Sequence, residues 1–208
     1  MRIGGYAWRH DHESVRGMIA PFLQGQHVYL RSLERADLQP MTEWLNDADV
    51  TRLLFMGLFP ANLELLTAQW ERDRNSPEET TFAVCDKTSN QFVGTTGIYR
   101  IQWVMRTGEF RVFLGDKRVW NRGIGTECAK LMVVYGFEKL NLNKVWLGVN
   151  ADNTGGVKAY QKAGFVHEGV LRQEQYRNFQ YYDAIRMSML RSEYEPMREN
   201  YLSEKQSL

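Results

Sequence analysis

A chain of 208 residues that is 43% hydrophobic and 25% charged has the make-up of a soluble folded protein, unlike disordered, collagenous or membrane chains. Lysine plus arginine (26) nearly cancels aspartate plus glutamate (25), so the net charge of +1 gives no general electrostatic case for nucleic acid or an anionic membrane surface. Any polyanion must be held locally, and one core with loose ends fits the length.

Residues 1–24 mix Gly, His and charge without sustained periodicity and read as a poorly ordered arm, in which Met18 is an alternative start. His10 and His12 lack Cys or acidic partners at ligand spacing, so no metal is expected there. The alternation of residues 27–33 predicts a strand, and Leu38, Met41, Trp44 and Leu45 within 34–47 predict a helix. Residues 53–60, LLFMGLFP, form an apolar loop punctuated by Gly and Pro, after which 62–72 resume helical spacing. The β-rich runs 80–85, 91–99 and 106–114, parted by turn signals, predict an antiparallel meander.

Then VWNRGIGTE, residues 119–127, sets two glycines and an arginine before the apolar helical stripe of 128–140. A strand over 144–149 precedes a short helix over 156–162, closed by Ala163-Gly164 in the manner of a glycine C-cap. Two strands, 165–176 and 181–190, flank a hairpin turn at 177–180, and a polar tail begins near 193. The resulting class is α+β, with the working domain over 25–192 and the tail over 193–208. Cys85 and Cys128 lie in apolar contexts without CxxC spacing, so buried free thiols in a reducing compartment are expected. No apolar run reaches the ~18 residues of a spanning helix and no secretory segment is seen, so a cytoplasmic setting is expected.

A strand, a Gly-rich turn and a helix N-terminus make an anion site, because bare amides and the helix dipole face outward together. This stretch lacks the Lys-Ser/Thr of a Walker loop, and Cys128 stands where the third glycine of GxGxxG belongs, so ATP and NAD lose ground. A tight structural turn explains the two glycines equally well.

The order of strand 106–114, Gly turn, helix, strand 144–150, Asn153-x-x-Gly156-x-x-x-Tyr160 and Ala163-Gly164-Phe165 resembles the GNAT superfamily of N-acetyltransferases. The likeness covers about residues 26–192, with Trp120 departing from the Gln or Arg that opens the family's turn motif. Trp120, the opening LRSLERADL of 30–38, Trp44-Leu45-Asn46-Asp47 and Tyr182-Asp183-Ala184-Ile185-Arg186-Met187 resemble the ribosomal-protein (RimJ/RimL-like) branch. The resemblance implies a mixed, mostly antiparallel sheet of about seven strands flanked by helices and splayed between the fourth and fifth. It also implies acetyl-CoA as co-substrate with no metal, and makes a homodimer a fitting assembly.

The same resemblance implies that backbone amides of Arg122, Gly123, Ile124, Gly125 and Thr126 bind the coenzyme pyrophosphate. The pantetheine arm would lie in the splay, with main-chain groups of Phe110, Arg111 and Val112 polarising the acetyl carbonyl and Asn153 and Gly156 helping to fix the arm. Asn153 reads equally as a helix cap. Tyr160 takes the place of the phenol that protonates the departing thiolate. Glu109 reads either as the acceptor of the ammonium proton or as half of an ion pair with Arg111, two residues along the same face. His167 reads as a strand-surface residue.

For the amine, Phe55 and Met56 of the apolar loop and Tyr176, Arg177 and Tyr182 of the hairpin are the candidate contacts. LLFMGLFPAN contains no acid, which argues against a polyamine, whereas aromatics with one cation suit an amino sugar or its nucleotide conjugate, Arg177 meeting phosphate. The reaction expected is direct attack by the amine in a ternary complex. A protein N-terminus or a polyamine is the alternative acceptor, a non-catalytic acyl-CoA sensor the alternative class, and hairpin packing or a dimer contact an equally good role for those aromatics. RNA binding lacks the basic stripe it needs.

Overall fold

The structure, a computed structural model, describes residues 21–203. In chain order it contains β1 (Leu23–Gln24), β2 (Val28–Ser32), α1 (Leu38–Asn46), α2 (Ala48–Thr51), α3 (Leu63–Asp73), β3 (Thr80–Asp86), β4 (Gln91–Gln102) and β5 (Thr107–Leu114). There follow α4 (Ile124–Val134), β6 (Lys144–Asn150), α5 (Thr154–Lys162), β7 (Val166–Arg177), β8 (Gln180–Leu190), α6 (Arg191–Tyr194) and α7 (Arg198–Ser203). One sheet of eight strands runs β1-β2-β3-β4-β5-β6-β8-β7.

Every neighbouring pair is antiparallel except β5 and β6, which run parallel. That pair is also the weak one. Ladder contacts join only Thr107–Glu109 to Lys144–Trp146, although β5 runs on to Leu114 and β6 to Asn150. The expected splay therefore opens after Glu109. The eighth strand is β1, where Leu23 pairs with Leu30 inside the stretch read as an arm. Residues 1–20, with His10, His12 and Met18, lie outside the described residues.

The sheet acquires its two covered faces from helices of different character. Ile124, Cys128, Ala129 and Leu131 to Val134 are all buried, so α4 is apolar nearly all round and lies in the core. On the other face, the Trp44 ring of α1 stacks on Phe92 at 5.3 Å and meets Phe113 edge-on at 6.1 Å. Both cysteines are free and buried. The hairpin β7–β8 turns on Asn178 and Phe179, both left-handed with φ of 49° and 62°, the backbone of a two-residue turn whose twist matches the strands.

The stretch read from composition as a polar tail is in fact docked through residue 203. Tyr194 stacks on Phe137 at 4.9 Å and Tyr201 is buried beside it, while Arg198 holds Glu138 at 2.8 Å. Among the described residues no helix is long and apolar enough to cross a membrane.

Candidate active site

The glycine turn is built by alternating handedness. Asn121 (φ 59°) and Gly123 (φ 80°) are both left-handed, and Gly123 forms the N-cap of α4. The first bond into the helix runs from the Glu127 amide to the Gly123 carbonyl at 3.0 Å, so the amides of the preceding turn have no partner within the helix and face outward. A Cβ placed on Gly123 or Gly125 would meet no atom within 4 Å. Packing therefore does not require these two glycines; the space before them is open. An anion at that point gains from both the free amides and the helix dipole.

Side chains around the turn serve to hold it. The Trp120 indole donates to the Leu114 carbonyl at 2.9 Å, pegging the turn to the end of β5, which gives this departure from the family motif a structural role. Arg122 leans toward Asp86 at 3.3 Å, and the Thr126 hydroxyl donates to the Ala159 carbonyl of α5 at 3.3 Å. Beside the turn opens a cavity of about 520 Å³ lined by Gly123, Thr126, Lys87, Lys130, Lys162 and Tyr201, among others.

Strand alternation distributes the candidate chemistry over the two faces of β5. Phe110 is buried on the α5 side, its ring 5.8 Å from Tyr160 and 5.9 Å from Phe165. No described residue hydrogen-bonds the Tyr160 hydroxyl, and burial, then the neighbouring Cys128, push its pKa up to about 12. The Asn153 carboxamide accepts from the Gly156 amide at 2.9 Å, so it caps α5, and a Cβ on Gly156 would lie 2.9 Å from the Asn153 Cγ.

On the opposite face sits Glu109, 9% exposed, its Oε2 accepting from Arg111 at 2.8 Å with Arg100 at 3.5 Å. The ion-pair reading of Glu109 thus describes its contacts in this structure. Arg111 also lies over the Tyr99 ring at 4.9 Å, and its carbonyl accepts from the Thr96 hydroxyl at 3.0 Å. Val112, one step on, is half-buried. His167 is exposed on β7.

On the Arg111 side, a second cavity of about 650 Å³ lies between α1, α3, the loop after α2 and the sheet. Met41, Met56, Trp70 and Tyr99 supply apolar wall, Asp73 and Glu79 two acids, and Arg74 and Arg111 two cations. Asp73 is bonded by its neighbour Arg72 at 2.7 Å. Glu79 is half-buried with no hydrogen-bond or ion-pair partner among the described residues, and burial, then repulsion from Asp73, raise its pKa above the ordinary carboxylate value against the attraction of Arg111 and Arg72. The buried Thr80 Oγ1 beside it also has no hydrogen-bond partner among the described residues. Neither Glu79 nor Asp73 emerged from the sequence, because Glu79 sits at a helix-to-strand connection with no periodic or motif signal.

Of the five residues expected to contact the amine, only Met56 lines this cavity. Phe55 is exposed outside it, Tyr176 lies against Tyr181 with the ring centroids 4.8 Å apart and the planes tilted by 49°, and the Tyr182 hydroxyl lies 3.4 Å from Gln180. Arg177 corrects its expectation most clearly. It is buried and donates to the carbonyls of Thr51, Leu54 and Met56, so both terminal nitrogens are engaged by the protein's own backbone.

Residues 27–166 match the acetyltransferase (GNAT) domain family. The chain is 34% identical over 168 residues to spermidine N(1)-acetyltransferase of Escherichia coli K12, covering 80% of this chain and 88% of that one. Spermidine N-acetyltransferase from Vibrio cholerae, solved in complex with CoA and spermine, superposes with a TM-score of 0.75 at 27% identity, covering 81% of this chain and 98% of that one. A dodecameric structure of the Vibrio enzyme gives a TM-score of 0.69 at 28% identity, covering 81% and 96%. These relatives are named for spermidine, whereas the opening and closing motifs had pointed to the ribosomal-protein branch. With its outward amides, its splayed parallel pair and this family match, the chain belongs to the GNAT acetyltransferases and is an acetyl-CoA-dependent N-acetyltransferase.

Proposed function

We propose that the acceptor is a primary amine of a polyamine, taken into the 650 Å³ cavity with a second cationic nitrogen against Glu79 and Asp73. The observation that carries this reading is the Glu79 carboxylate, half-buried beside Asp73 and without a hydrogen-bond or ion-pair partner among the described residues, the charges of Arg111 and Arg72 only partly offsetting its burial. An ionised group held partly out of water costs free energy until a cation offsets it. The two spermidine-named relatives support the same class. The amino-sugar reading leaned on Arg177, Tyr176 and Tyr182, which are engaged elsewhere. The loop 53–62 supplies no acid to the cavity; the cavity's acids come from the end of α3 and from the residue just before β3. A homo-oligomer, as in the Vibrio neighbour, is the assembly proposed.

In this scheme the amides of residues 123–126 hold the coenzyme diphosphate, with Arg122 adding charge, and the splay beyond Glu109 receives the pantetheine arm. Main-chain groups of Phe110 to Val112 polarise the thioester carbonyl. The amine nitrogen forms its bond to that carbon as the carbon–sulfur bond breaks. Glu109, on the face it shares with Arg111, takes the proton shed by the amine through water, and Tyr160 protonates the sulfur. A phenol at about 12 is fully protonated at neutral pH, and the same burial raises the basicity of a thiolate beside it, which brings the two closer to balance. That hydroxyl also separates an enzyme from a sensor, which has no need of an acid there.

The test is thiol release from acetyl-CoA with polyamines, aminoglycosides, amino-sugar nucleotides and N-terminal peptides, in the wild type and Glu79→Gln. Polyamine turnover is expected, with KM raised about tenfold in the variant. Glu79→Gln should also raise Tm at neutral pH. A carboxyl whose pKa is raised by folding contributes stability only below its unfolded pKa, so above it the ionised group is a cost that Gln removes. Turnover of a peptide or sugar nucleotide with none of spermidine would overturn the reading.

A further inference from the structure

The wall of the 650 Å³ cavity formed by Met56, Gly57, Phe59 and Ala61 belongs to a loop that its own side chains do not anchor. Phe59 is 83% exposed and Leu58 57%, and Phe55 also faces solvent, so an apolar segment stands away from the core instead of packing into it. Its backbone is held from outside. Asn46 pins the far end through paired bonds to Ala61, at 2.8 and 2.9 Å. The near end is gripped by the tip of the β7–β8 hairpin, more than a hundred residues away in sequence. Arg177 donates to the carbonyls of Thr51, Leu54 and Met56, the last at 2.9 Å, and Gln175 donates to Leu54 at 2.6 Å.

Gln175 is itself fixed, because its amide oxygen accepts from the buried Asn150 at the end of β6 at 2.7 Å. Arg177 is 9% exposed and has no carboxylate partner among the described residues. A guanidinium is expensive to bury, and here only carbonyl dipoles of one loop compensate it, so charge and loop position are mutually dependent. A lysine offers one compact ammonium and cannot span carbonyls of residues 51, 54 and 56 in the same way.

We infer that Arg177 and Gln175 are positioning residues for the amine: they set the loop that walls the acceptor cavity, and through Asn150 tie it to the strand bordering the splay. The inference rests on reading that cavity as the amine site. Neither residue lines the cavity itself, and the loop they hold does, so the effect falls on acceptor binding more than on the donor.

The experiment uses full-length enzyme with Arg177→Lys and Gln175→Leu, measuring KM for spermidine and for acetyl-CoA, and hydrogen exchange of amides 50–62. Gln175→Leu keeps the guanidinium and so keeps the test available where Arg177→Lys does not fold. Expected is a rise of about tenfold in spermidine KM with acetyl-CoA KM within about twofold, and faster exchange confined to the loop while β3–β5 amides stay protected. Unchanged spermidine KM and unchanged loop exchange in the folded variants overturn the inference. A matching rise in both KM values with protection lost across the sheet overturns it too, since that is a plain stability defect. Glu79→Gln separates the two ideas. A spermidine KM unaffected by that change removes the cavity reading and the inference with it; an affected one, beside unaffected Arg177 and Gln175 variants, removes the clamp alone.

Discussion

Tyr160, on α5, packs against Phe110 on one face of β5, and Glu109 lies on the other face, which strand alternation would keep apart. In the proposed scheme, the loss of pairing between β5 and β6 beyond Glu109 lets groups from the two faces converge. For Tyr160, removal of the hydroxyl should lower kcat by about 10²-fold or more, in the range of a positioned general acid, while acetyl-CoA affinity by calorimetry stays within about twofold. Equal losses in both would assign the ring to packing against Phe110 and Phe165. Tyr160 was legible because it occupies a fixed place in a motif. Glu79 was not, because its significance comes from desolvation and from Asp73 across the α3–β3 connection.

At the scale of elements, the turn into α4 separates conformational cost from ligand space. Gly123 and Gly125 face equally open space, yet only Gly123 has a left-handed backbone. Gly123→Ala should therefore lose about 1 kcal/mol in urea unfolding and weaken CoA binding as the amides reorient. Gly125→Ala, inside regular helix, should leave stability unchanged or raise it by up to about 1 kcal/mol while its methyl obstructs the ligand. Equal stability loss in both would show that packing, and not backbone handedness, demands the glycines. Strands and helices with clear period were readable from the chain. The two-residue β1 has no period to read, and α6 and α7 are held by Tyr194 and Tyr201 within an otherwise polar sequence.

Across the whole molecule, four carboxylates held by hydrogen bonds from near or distant residues share one direction of shift. Arg198 and the Tyr194 hydroxyl hold Glu138 below the usual carboxylate range, Ser89 does so for Asp86, Arg118 for Asp116 and Lys144 for Glu168. A depressed folded pKa contributes stability above the unfolded value, near 4, and loses it as pH falls through the folded one. The urea midpoint should accordingly be flat from pH 7 to about 5 and fall steeply below about 4, and Glu138→Gln should remove part of that slope. Identical acid slopes in the wild type and the variant would detach the α6–α7 docking from this pair.

Family, donor and the order of elements were determined by the sequence itself, because a glycine turn, an apolar helix and a spaced tyrosine are local patterns that a short stretch of chain encodes whole. The surroundings proposed for the amine exist only in three dimensions. Arg177 reads as a free cation until the fold brings it beneath carbonyls 121 to 126 positions away, and Glu79 as a surface acid until α3 and the sheet draw water from it. Desolvation and long-range hydrogen bonding depend on which segments become neighbours, and no local spacing records that.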